Sequence, residues 1–405
     1  MAIDDSTSQD TEYPELIDTL EQLTEVLTQL PPSTDSVDHE AAQRGRAYLA
    51  ALAPGGWMVP TWPTEYGGRT STPEQAQVIR SLLRQYSSPD LYLFFVGLNM
   101  VGPALLAHGS AEQRARWMPP IATGEDVWCQ MFSEPEAGSD LANVATQARP
   151  MQDSWRLQGQ KVWTSRAHRA GWGLCLARTD PDQPKHRGMT MFAVRMTTPG
   201  VIVRPLVQMN GDQHFSEVFL DDVEVGATDM IGQPGDGWKI AQTVLTHERS
   251  SIASSGGRAR TGTGSALPRW LQALGDHGNL DDPAKVDAAI AAFIDAEVGR
   301  LTAARAAAYA QSGRRVGPES SGQKLRVVAS LKRRAYLAQV LLGADGLLAE
   351  GPTQDEVLAA PSLSIRGGTD EIQRNIIAER VLGLPAEPRA DRDLPWSVSR
   401  RGGLA

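Results

Sequence analysis

Five short runs between residues 155 and 225 decide the fold class of this chain. They read WRLQGQKVWTS (155–165), GWGLCLARTD (171–180), GMTMFAVRM (188–196), GVIVRPLVQM (200–209) and SEVFLDDVEV (216–225). Each run carries β-branched, aromatic or other apolar residues at strand spacing, and turn-forming residues separate the runs. This spacing predicts a small antiparallel β-barrel or sandwich, which we place at residues 126–235.

The sequence on both sides of this β-domain is typical of helices. In the N-terminal part, leucines 16, 20, 23 and 27 recur at helical spacing, and alanine-rich segments cover 284–312 and 323–349 in the C-terminal part. We therefore predict an α+β protein with four parts: an N-terminal helical domain (1–125), the β-domain (126–235), a C-terminal four-helix bundle (236–385) and a surface tail (386–405).

Composition narrows the class of protein. A chain of 405 residues is long enough for two or three domains, and a net charge of -9 argues against a broad nucleic-acid surface. Cys129 and Cys175 are the only cysteines and have neither zinc nor disulfide spacing, so we expect no metal and a reducing cytoplasm.

The acidic, polar N-terminus is unlike a signal peptide. The apolar run 91–107 contains Pro103 and predicts a core helix ending near Gly102, not a membrane span.

One glutamate occupies an unusual position in the stretch 237–253, GWKIAQTVLTHERSSIA. Val244 and Ile252 lie four residues on either side of Glu248, and Leu245 lies three before it, so all share one helix face. A carboxylate on an apolar face is expensive unless it is paired or has a function. Two interpretations stay open: a catalytic base with a raised pKa, or a buried ion pair with an arginine such as Arg249.

Four motifs, read in order, resemble those of the flavin-dependent acyl-CoA dehydrogenase family. MFSEPEAGSD (131–140) is similar to the family's TEPxAGSD, with Ser133 in the threonine position, and KVWTS (161–165) is similar to K-x-W-I-[ST]. GWK (237–239) opens the first predicted bundle helix, and GGTDEIQR (367–374) resembles the family's last motif. The loop GWMVPTWPTEYGG (56–68) also matches a family pattern. Because the matches run colinearly from about residue 55 to 383, the resemblance covers most of the chain.

The resemblance implies FAD as cofactor and assigns residues to it. Ser133 and the backbone near Phe132 would contact the flavin, Trp163 would pack near the ring, and Ser165 would bond its N5 region. The alternative for Trp163 is an ordinary core aromatic of the β-domain. The resemblance also places Gly138, Thr369 and Glu371 on the cofactor side. Ser139, next to Gly138, would bind a phosphate or pantetheine oxygen of the substrate, and its alternative is a plain β-turn.

The last motif implies an oxyanion hole. A backbone N–H of Gly367 would help to hold the thioester carbonyl, and Arg366 lies beside it on the substrate side; the alternative is simple helix capping. Most family members carry the catalytic glutamate at the position of Gly367. A minority, including isovaleryl- and long-chain-type enzymes, place it on the first bundle helix before an arginine. In this chain those positions are Glu248 and Arg249, and Arg249 would approach the CoA.

The implied reaction is α,β-dehydrogenation of an acyl-CoA to a 2-enoyl-CoA, with electrons passing to an electron-transfer flavoprotein. The family's R-x-x-F-G motif, which reaches a neighbour's FAD, is missing between residues 261 and 295. The segment 317–348 instead resembles a bacterial subgroup that includes enzymes of fatty-acid or sterol side-chain β-oxidation. We expect a homotetramer, with an α2β2 assembly with a paralogue as the other form.

The alternative functions are a flavin oxidase or monooxygenase on the same scaffold, and the flavin-bearing subunit of a heteromeric dehydrogenase.

Overall fold

The fold is known from a computed structural model that describes residues 13–29, 39–255, 275, 279–311, 320–348, 351–388 and 391–400. The chain divides into two units. The first contains residues 1–206, 213–244 and 390–405, and the second contains residues 207–212 and 245–389.

The N-terminal part of the first unit is helical, as predicted. Its core packs Leu16 and Leu20 of the first helix against Tyr48, Ile79 and Leu82. Side-chain capping boxes begin two of the helices, Thr72 with Gln75 and Ser110 with Gln113. The helices are α1 (Pro14–Gln29), α2 (His39–Leu52), α3 (Pro73–Gln85), α4 (Gly102–His108) and α5 (Ala111–Ala122).

The apolar run 91–107 lies in the core of this part, but the expectation that its helix ends near Gly102 is wrong. A π-turn at Gly97–Val101 leads directly into α4, and the N–H of Gly102 reaches back to the carbonyl of Gly97. Pro103 has no N–H to donate back into the helix, and the π-turn directly before it accommodates this gap in the hydrogen bonding. No helix in the described part of the chain is long and apolar enough to cross a membrane.

The central β-domain is one sheet whose described strands follow the order β6-β7-β3-β2-β4-β5-β8, with β1 beside β4. Most pairs are antiparallel, as predicted, but β1 and β2 each pair with β4 in parallel. Parallel pairing needs a long return path, and the β2–β3 hairpin supplies it between β1 and β4. The strands are β1 (Trp128–Met131), β2 (Gln147–Pro150), β3 (Ser154–Ser165), β4 (Trp172–Arg178), β5 (Met189–Arg195), β6 (Val201–Leu206), β7 (Phe215–Gly226) and β8 (Met230–Ile231).

The C-terminal part is helical, so the predicted order of helical, β and helical parts is confirmed. Its core joins Ala289 and Ala292 to Leu337, Ala338 and Leu341, and the small alanines let the two helices approach closely. The helices are α6 (Gly237–Ser255), whose first eight residues belong to the first unit, α7 (Pro283–Gln311), α8 (Ser320–Leu341), α9 (Pro352–Leu363) and α10 (Asp370–Arg380).

The end of the chain corrects the prediction of a surface tail. Residues 391–400, with the short helix α11 (Trp396–Ser399), belong to the first unit. Trp396 is buried there, and its indole packs against the guanidinium of Arg178 in the β-domain. A tryptophan side chain buries a large apolar surface on its own. The charged residues and prolines around it predict an exposed segment, so this burial is not evident from the sequence.

Candidate functional site

A β-bulge in β3 brings the first group of predicted residues together. The β3–β7 ladder pairs Lys161 with Val218 and resumes at Thr164 with Ser216, so two residues of β3 bulge out. Val162 instead donates its N–H to the carbonyl of Ser133, at 2.9 Å. The loop after β1 is thereby fastened to β3 beside Trp163, and Ser165 follows two residues later.

Trp163 turns outward at this bulge. Its φ is +58°, a left-handed conformation that is uncommon for a bulky residue, and its side chain is 60% exposed. The ring touches Phe215 edge-on, with centroids 5.8 Å apart. The interpretation of Trp163 as an ordinary core aromatic is therefore wrong, because the bulge rotates the side chain out of the sheet.

The neighbours of Trp163 supply the hydrogen-bonding groups that a flavin ring uses. Ser133 and Ser165 are both partly exposed and carry hydroxyls, whereas Phe132 is buried and can contribute only its backbone. Two hydroxyls beside an exposed indole fit the polar edge and the flat face of an isoalloxazine. The residues present at the bulge therefore fit the implied cofactor.

A buried ion pair, which is not among the contacts predicted from the sequence, supports this loop. Lys161 is fully buried, and its Nζ donates to the carbonyls of Phe132 (3.1 Å) and Leu176 (2.7 Å) and to Oε1 of Glu134 (2.8 Å). The Glu134 carboxylate also accepts the N–H groups of Ala145 (2.6 Å) and Thr146 (2.9 Å). One lysine thus ties the loop, β3 and β4 to a single point.

The ionised form of Glu134 is favoured despite its burial. Burial alone would raise the pKa of this carboxyl, but the charge and hydrogen bond of Lys161, with the bonds from Thr146 and Ala145, outweigh it and hold the pKa below 4.5. The pairing was detectable in the sequence. Lys161 lies four residues after Leu157 on an alternating strand, so the period of two directs this charge inward, where it needs a partner.

The segment that carries Gly138 and Ser139 is an exposed turn. Glu134 and Ala137 exchange backbone hydrogen bonds of 3.1 and 3.0 Å, and the chain from Gly138 to Asp140 then faces solvent. A Cβ added to Gly138 would meet nothing within 4 Å, so no protein neighbour demands glycine there. The space at Gly138 and the Ser139 hydroxyl remain available to a ligand.

Arg178, at the end of β4, fixes the far side of the same loop. Its guanidinium is buried and donates to the carbonyls of Ala142 (2.7 Å), Val144 (3.2 Å) and Lys185 (2.8 Å). Burial lowers the pKa of this arginine to about 10, with Glu134 opposing the shift, so it stays charged at neutral pH. Arg178 is not among the residues predicted from the sequence.

The other predicted residues lie on the helices of the C-terminal part. Glu248 stands on α6, one turn after the buried Val244, and its side chain is partly buried. The predicted apolar face of the helix is therefore present at Val244, although Glu248 keeps some access to solvent. Arg249 follows it in the helix, and its side chain lies outside the described residues, so its predicted CoA contact stays a prediction.

The GGTDEIQR motif forms a left-handed turn before α10. Gly367 and Gly368 have φ of +69° and +86°, and buried Gln373 donates its Nε2 to both their carbonyls, at 3.1 and 3.4 Å. Among the described residues, the N–H of Gly367 donates to no backbone carbonyl. The turn thus holds its carbonyls inside while leaving an N–H for the predicted oxyanion contact.

The remaining residues of this motif have structural roles in the chain itself. Thr369 caps α10, since its hydroxyl accepts the N–H of Ile372 at 3.2 Å, which agrees with the capping alternative. Glu371 is exposed and lies 3.6 Å from Arg374. Arg366 is exposed as well, so its side chain can reach a ligand. The cofactor roles of Thr369 and Glu371 stay predictions.

A second buried lysine fixes the start of α10. Lys324 of α8 bonds the Asp370 carboxylate at 2.8 Å. Burial would raise the pKa of Asp370, but the bonds from Lys324 and Ser364 outweigh it and lower the pKa. A carboxylate at a helix N-terminus also complements the helix dipole. Lys324, which is not among the residues predicted from the sequence, therefore sets the position of the Gly367–Thr369 turn relative to α8.

Three family models match the chain in the order of its parts. The N-terminal domain of acyl-CoA dehydrogenase matches residues 12–125, the middle domain 129–223 and the C-terminal domain 235–382. Together they cover most of the chain, and the bulge, the loop and the double-glycine turn all fall within them. The chain belongs to the acyl-CoA dehydrogenase family, a family of flavin-dependent enzymes that usually use FAD.

Curated relatives agree with this assignment. Acyl-CoA dehydrogenase FadE34 of Mycobacterium tuberculosis is 40% identical over 366 residues, which is 90% of this chain but 50% of that protein. This chain therefore spans about half the length of that relative. Acyl-CoA dehydrogenase IpdE1 of Mycolicibacterium smegmatis is 35% identical, covering 86% of this chain and 91% of that one.

Solved structures share the fold over nearly the whole chain. A variant of the Tcur3481-Tcur3483 steroid ACAD superposes with a TM-score of 0.76 at 25% identity, covering 93% of this chain and 100% of that one. The ChsE4-ChsE5 complex from Mycobacterium tuberculosis gives a TM-score of 0.71 at 25% identity, with 96% and 100% covered.

Proposed function

We propose that this chain catalyses FAD-dependent α,β-dehydrogenation of an acyl-CoA thioester to a 2-enoyl-CoA. The observation that carries the proposal is the outward-facing Trp163 at the β3 bulge, with Ser133 fastened beside it. A bulky residue in a left-handed conformation costs the fold about 1–3 kcal/mol. Such strain, with exposure of a large indole, is expected where the side chain serves a ligand.

In this reaction the β-domain residues bind and orient the cofactor. Trp163 would pack against the ring, and the Ser133 and Ser165 hydroxyls would hold its polar edge. When bound, FAD would supply the redox chemistry that takes up the two electrons and the hydrogen leaving the β-carbon. Ser139, beside Gly138, holds the phosphate or pantetheine part of the thioester. Lys161 acts through Phe132 and Glu134 and is a positioning residue.

The helical residues act on the proton. The Gly367 N–H binds the thioester carbonyl and stabilises the enolate character that develops as the α-proton leaves. Glu248 accepts that proton on its carboxylate, and Arg249 and Arg366 contact the CoA. The position of Glu248 on α6, one turn after the buried Val244, and its partial burial support this role.

The acyl group that we favour is bulky, of the sterol side-chain type. Support comes from the relative whose solved structure is called a steroid ACAD and from the subgroup resemblance of residues 317–348. The test mixes the purified yellow protein anaerobically with a panel of linear, branched and sterol side-chain acyl-CoAs. We expect at least one thioester to bleach the flavin, with the sterol type fastest; no bleaching by any of them would contradict dehydrogenation.

The same experiment separates the alternative of an oxidase or monooxygenase. After bleaching, admission of air should restore the oxidised spectrum slowly, whereas an electron-transfer flavoprotein should restore it within seconds. Rapid reoxidation by air alone would instead indicate an oxidase.

Trp163→Ala tests the cofactor site directly. We expect lower FAD retention after gel filtration, or a shifted flavin absorption band, because one face of the ring loses its cover. Folding should be preserved, since the side chain is mostly exposed. The matched control is Trp155→Phe, a partly buried aromatic on the same strand. Full FAD content with an unchanged spectrum in Trp163→Ala would place the flavin elsewhere.

We further propose a homotetramer. Helix α7 turns its small alanines inward and leaves Ile290, Phe293, Ile294 and Leu301 on one face, each more than half exposed. An apolar stripe of this kind is rare on a monomer and is typical of an interface. Closed symmetric homo-oligomers are the commonest solution. An α2β2 assembly with a paralogue is the other form, in keeping with the relative solved as the ChsE4-ChsE5 complex.

Mass measurement on the chain expressed alone, with FAD counted per subunit, decides the assembly. We expect a tetramer with nearly one FAD per subunit, and Phe293→Glu should reduce it to smaller species. Substoichiometric FAD that is rescued by co-expression of a paralogue would favour the α2β2 form. A fully active monomer would contradict both.

A further inference from the structure

We propose that residues 391–400 form a C-terminal strap that positions the loop carrying Gly138 and Ser139 and thereby sets the affinity for acyl-CoA. The strap and the loop both belong to the first unit. The inference rests on the proposed function for the ligand of the loop, whereas the contacts between strap and loop are independent of it.

The strap is attached to the β-domain through its backbone. Trp396 donates its N–H to the carbonyl of Gln183, and Ser397 donates to that of Pro181, both at 2.9 Å. Pro395 forms an isolated bridge with Pro184 just before. These bonds give the segment one defined position beside residues 181–184, unlike a tail that only lies on the surface.

Trp396 is the centre of the strap. Its ring lies over the buried guanidinium of Arg178, 4.7 Å from ring centroid to Cζ, and its Nε1 donates to Oδ1 of Asn143 at 3.0 Å. Arg178 in turn holds the carbonyls of Ala142 and Val144. The indole therefore shields from water the hydrogen bonds that fix the end of the loop, and it bonds the loop directly.

Charged residues of the strap support the loop on both sides of Gly138 and Ser139, directly on one side and through Lys185 on the other. Before them, Arg400 lies 3.3 Å from the Glu136 carboxylate. After them, Asp140 and Asp391 share the ammonium of Lys185, at 3.1 and 3.0 Å. Because Glu136 and Asp140 are exposed, these ion pairs contribute less than the buried Trp396 contact, and they define position more than stability.

The loop needs such external support. Residues 138–140 are exposed, and the space around Gly138 is open to 4 Å. The strap contacts Glu136 and Asn143 directly and reaches Asp140 through Lys185, so Ser139 is held at a fixed place without being covered. Fixing a binding group before the ligand arrives lowers the entropy cost of binding.

The test uses the full-length yellow protein with Trp396→Ala, Trp396→Phe and the exposed strap residue control Arg392→Ala. Amide hydrogen exchange is measured for residues 136–143, together with kcat, KM for the best acyl-CoA and FAD content. For Trp396→Ala we expect faster exchange in the loop and a KM raised about tenfold, the size of losing one well-placed hydrogen bond. We expect kcat within about twofold of wild type and full FAD content. Trp396→Phe, which keeps a ring over Arg178, should recover much of the KM, and Arg392→Ala should match wild type.

Unchanged loop exchange in Trp396→Ala would overturn the strap. If Trp396→Ala proves insoluble, Arg400→Gln and Asp391→Asn carry the same test with smaller expected changes. Ser139→Ala separates the strap from the proposed function: it should raise KM whether or not the strap matters. A loosened loop with unchanged KM would overturn the positioning role if Ser139→Ala raises KM. If Ser139→Ala has no effect either, the loop does not bind acyl-CoA, and both proposals fail at this point.

Discussion

Glu248→Gln should leave the protein folded and yellow while reducing the rate of flavin reduction by acyl-CoA about 10²- to 10⁴-fold, as removal of a general base commonly does. The amide has nearly the same volume as the carboxylate, so packing beside Val244 on α6 is preserved. Stopped-flow absorbance under anaerobic conditions measures the rate, and equilibrium titration measures thioester binding, which should change little.

The matched control is Glu379→Gln, the same chemical change on α10. It should reduce flavin at the wild-type rate. If Glu248→Gln retains more than a few per cent of the wild-type rate, the proton is taken by another group.

Lys161→Met should produce the largest loss of stability. It leaves the Glu134 carboxylate buried without its cation, and breaking a buried pair from one side costs about 3–5 kcal/mol. It also removes the donor from the carbonyls of Phe132 and Leu176. We therefore expect a lower midpoint of chemical denaturation together with weaker FAD retention, because Phe132 and Ser133 lose their fixed position.

The control for this prediction is the double variant Lys161→Met with Glu134→Gln. Removing both charges should recover part of the lost stability, since the unpaired carboxylate is the main cost. A single variant as stable as wild type would show that the pair is not needed by the loop.

The same pair gives a pH dependence with a defined sign. The pKa of Glu134 is lowered in the folded state relative to 4.5, so its contribution to stability is complete above about pH 4.5 and is lost as the pH falls through the lower folded value. The stability difference between wild type and Lys161→Met should accordingly shrink in acid. A difference that stays constant from pH 7 to pH 3 would contradict this.

The fold class could be predicted from the sequence because periodicity changes sharply along the chain. The strand-like runs after residue 154 are a local pattern, and so is the helical spacing on both sides of the β-domain. The sequence alone reveals such local patterns. The parallel pairs of β4 could not be predicted, since they are set by the path of a distant return segment. The tail was misjudged for a similar reason: Trp396 finds its partners Arg178 and Asn143 more than 200 residues earlier in the chain.

The part of the candidate site that is formed by short sequence motifs was predictable. Ser133, Trp163 and Ser165 could be named from their motifs, and the structure places Ser133 and the Trp163 bulge together through one backbone bond. Among the supporting residues, the burial of Lys161 follows from its strand alternation with Leu157, whereas Arg178 and Lys324 could not be predicted, because their partners are distant in sequence. The roles of Glu248 and Gly367 stay predictions.

At Trp163 the stability of the fold and the covering of the flavin ring by the indole oppose each other. Glycine would adopt a φ of +58° without strain and would relax the bulge by roughly 1 kcal/mol. With tryptophan at residue 163 the protein is thus less stable than it would be with glycine there. That loss of stability is retained only while the indole has a function. Among related chains, residue 163 therefore serves as a marker: a glycine there would identify a chain that has kept the scaffold and given up covering the ring.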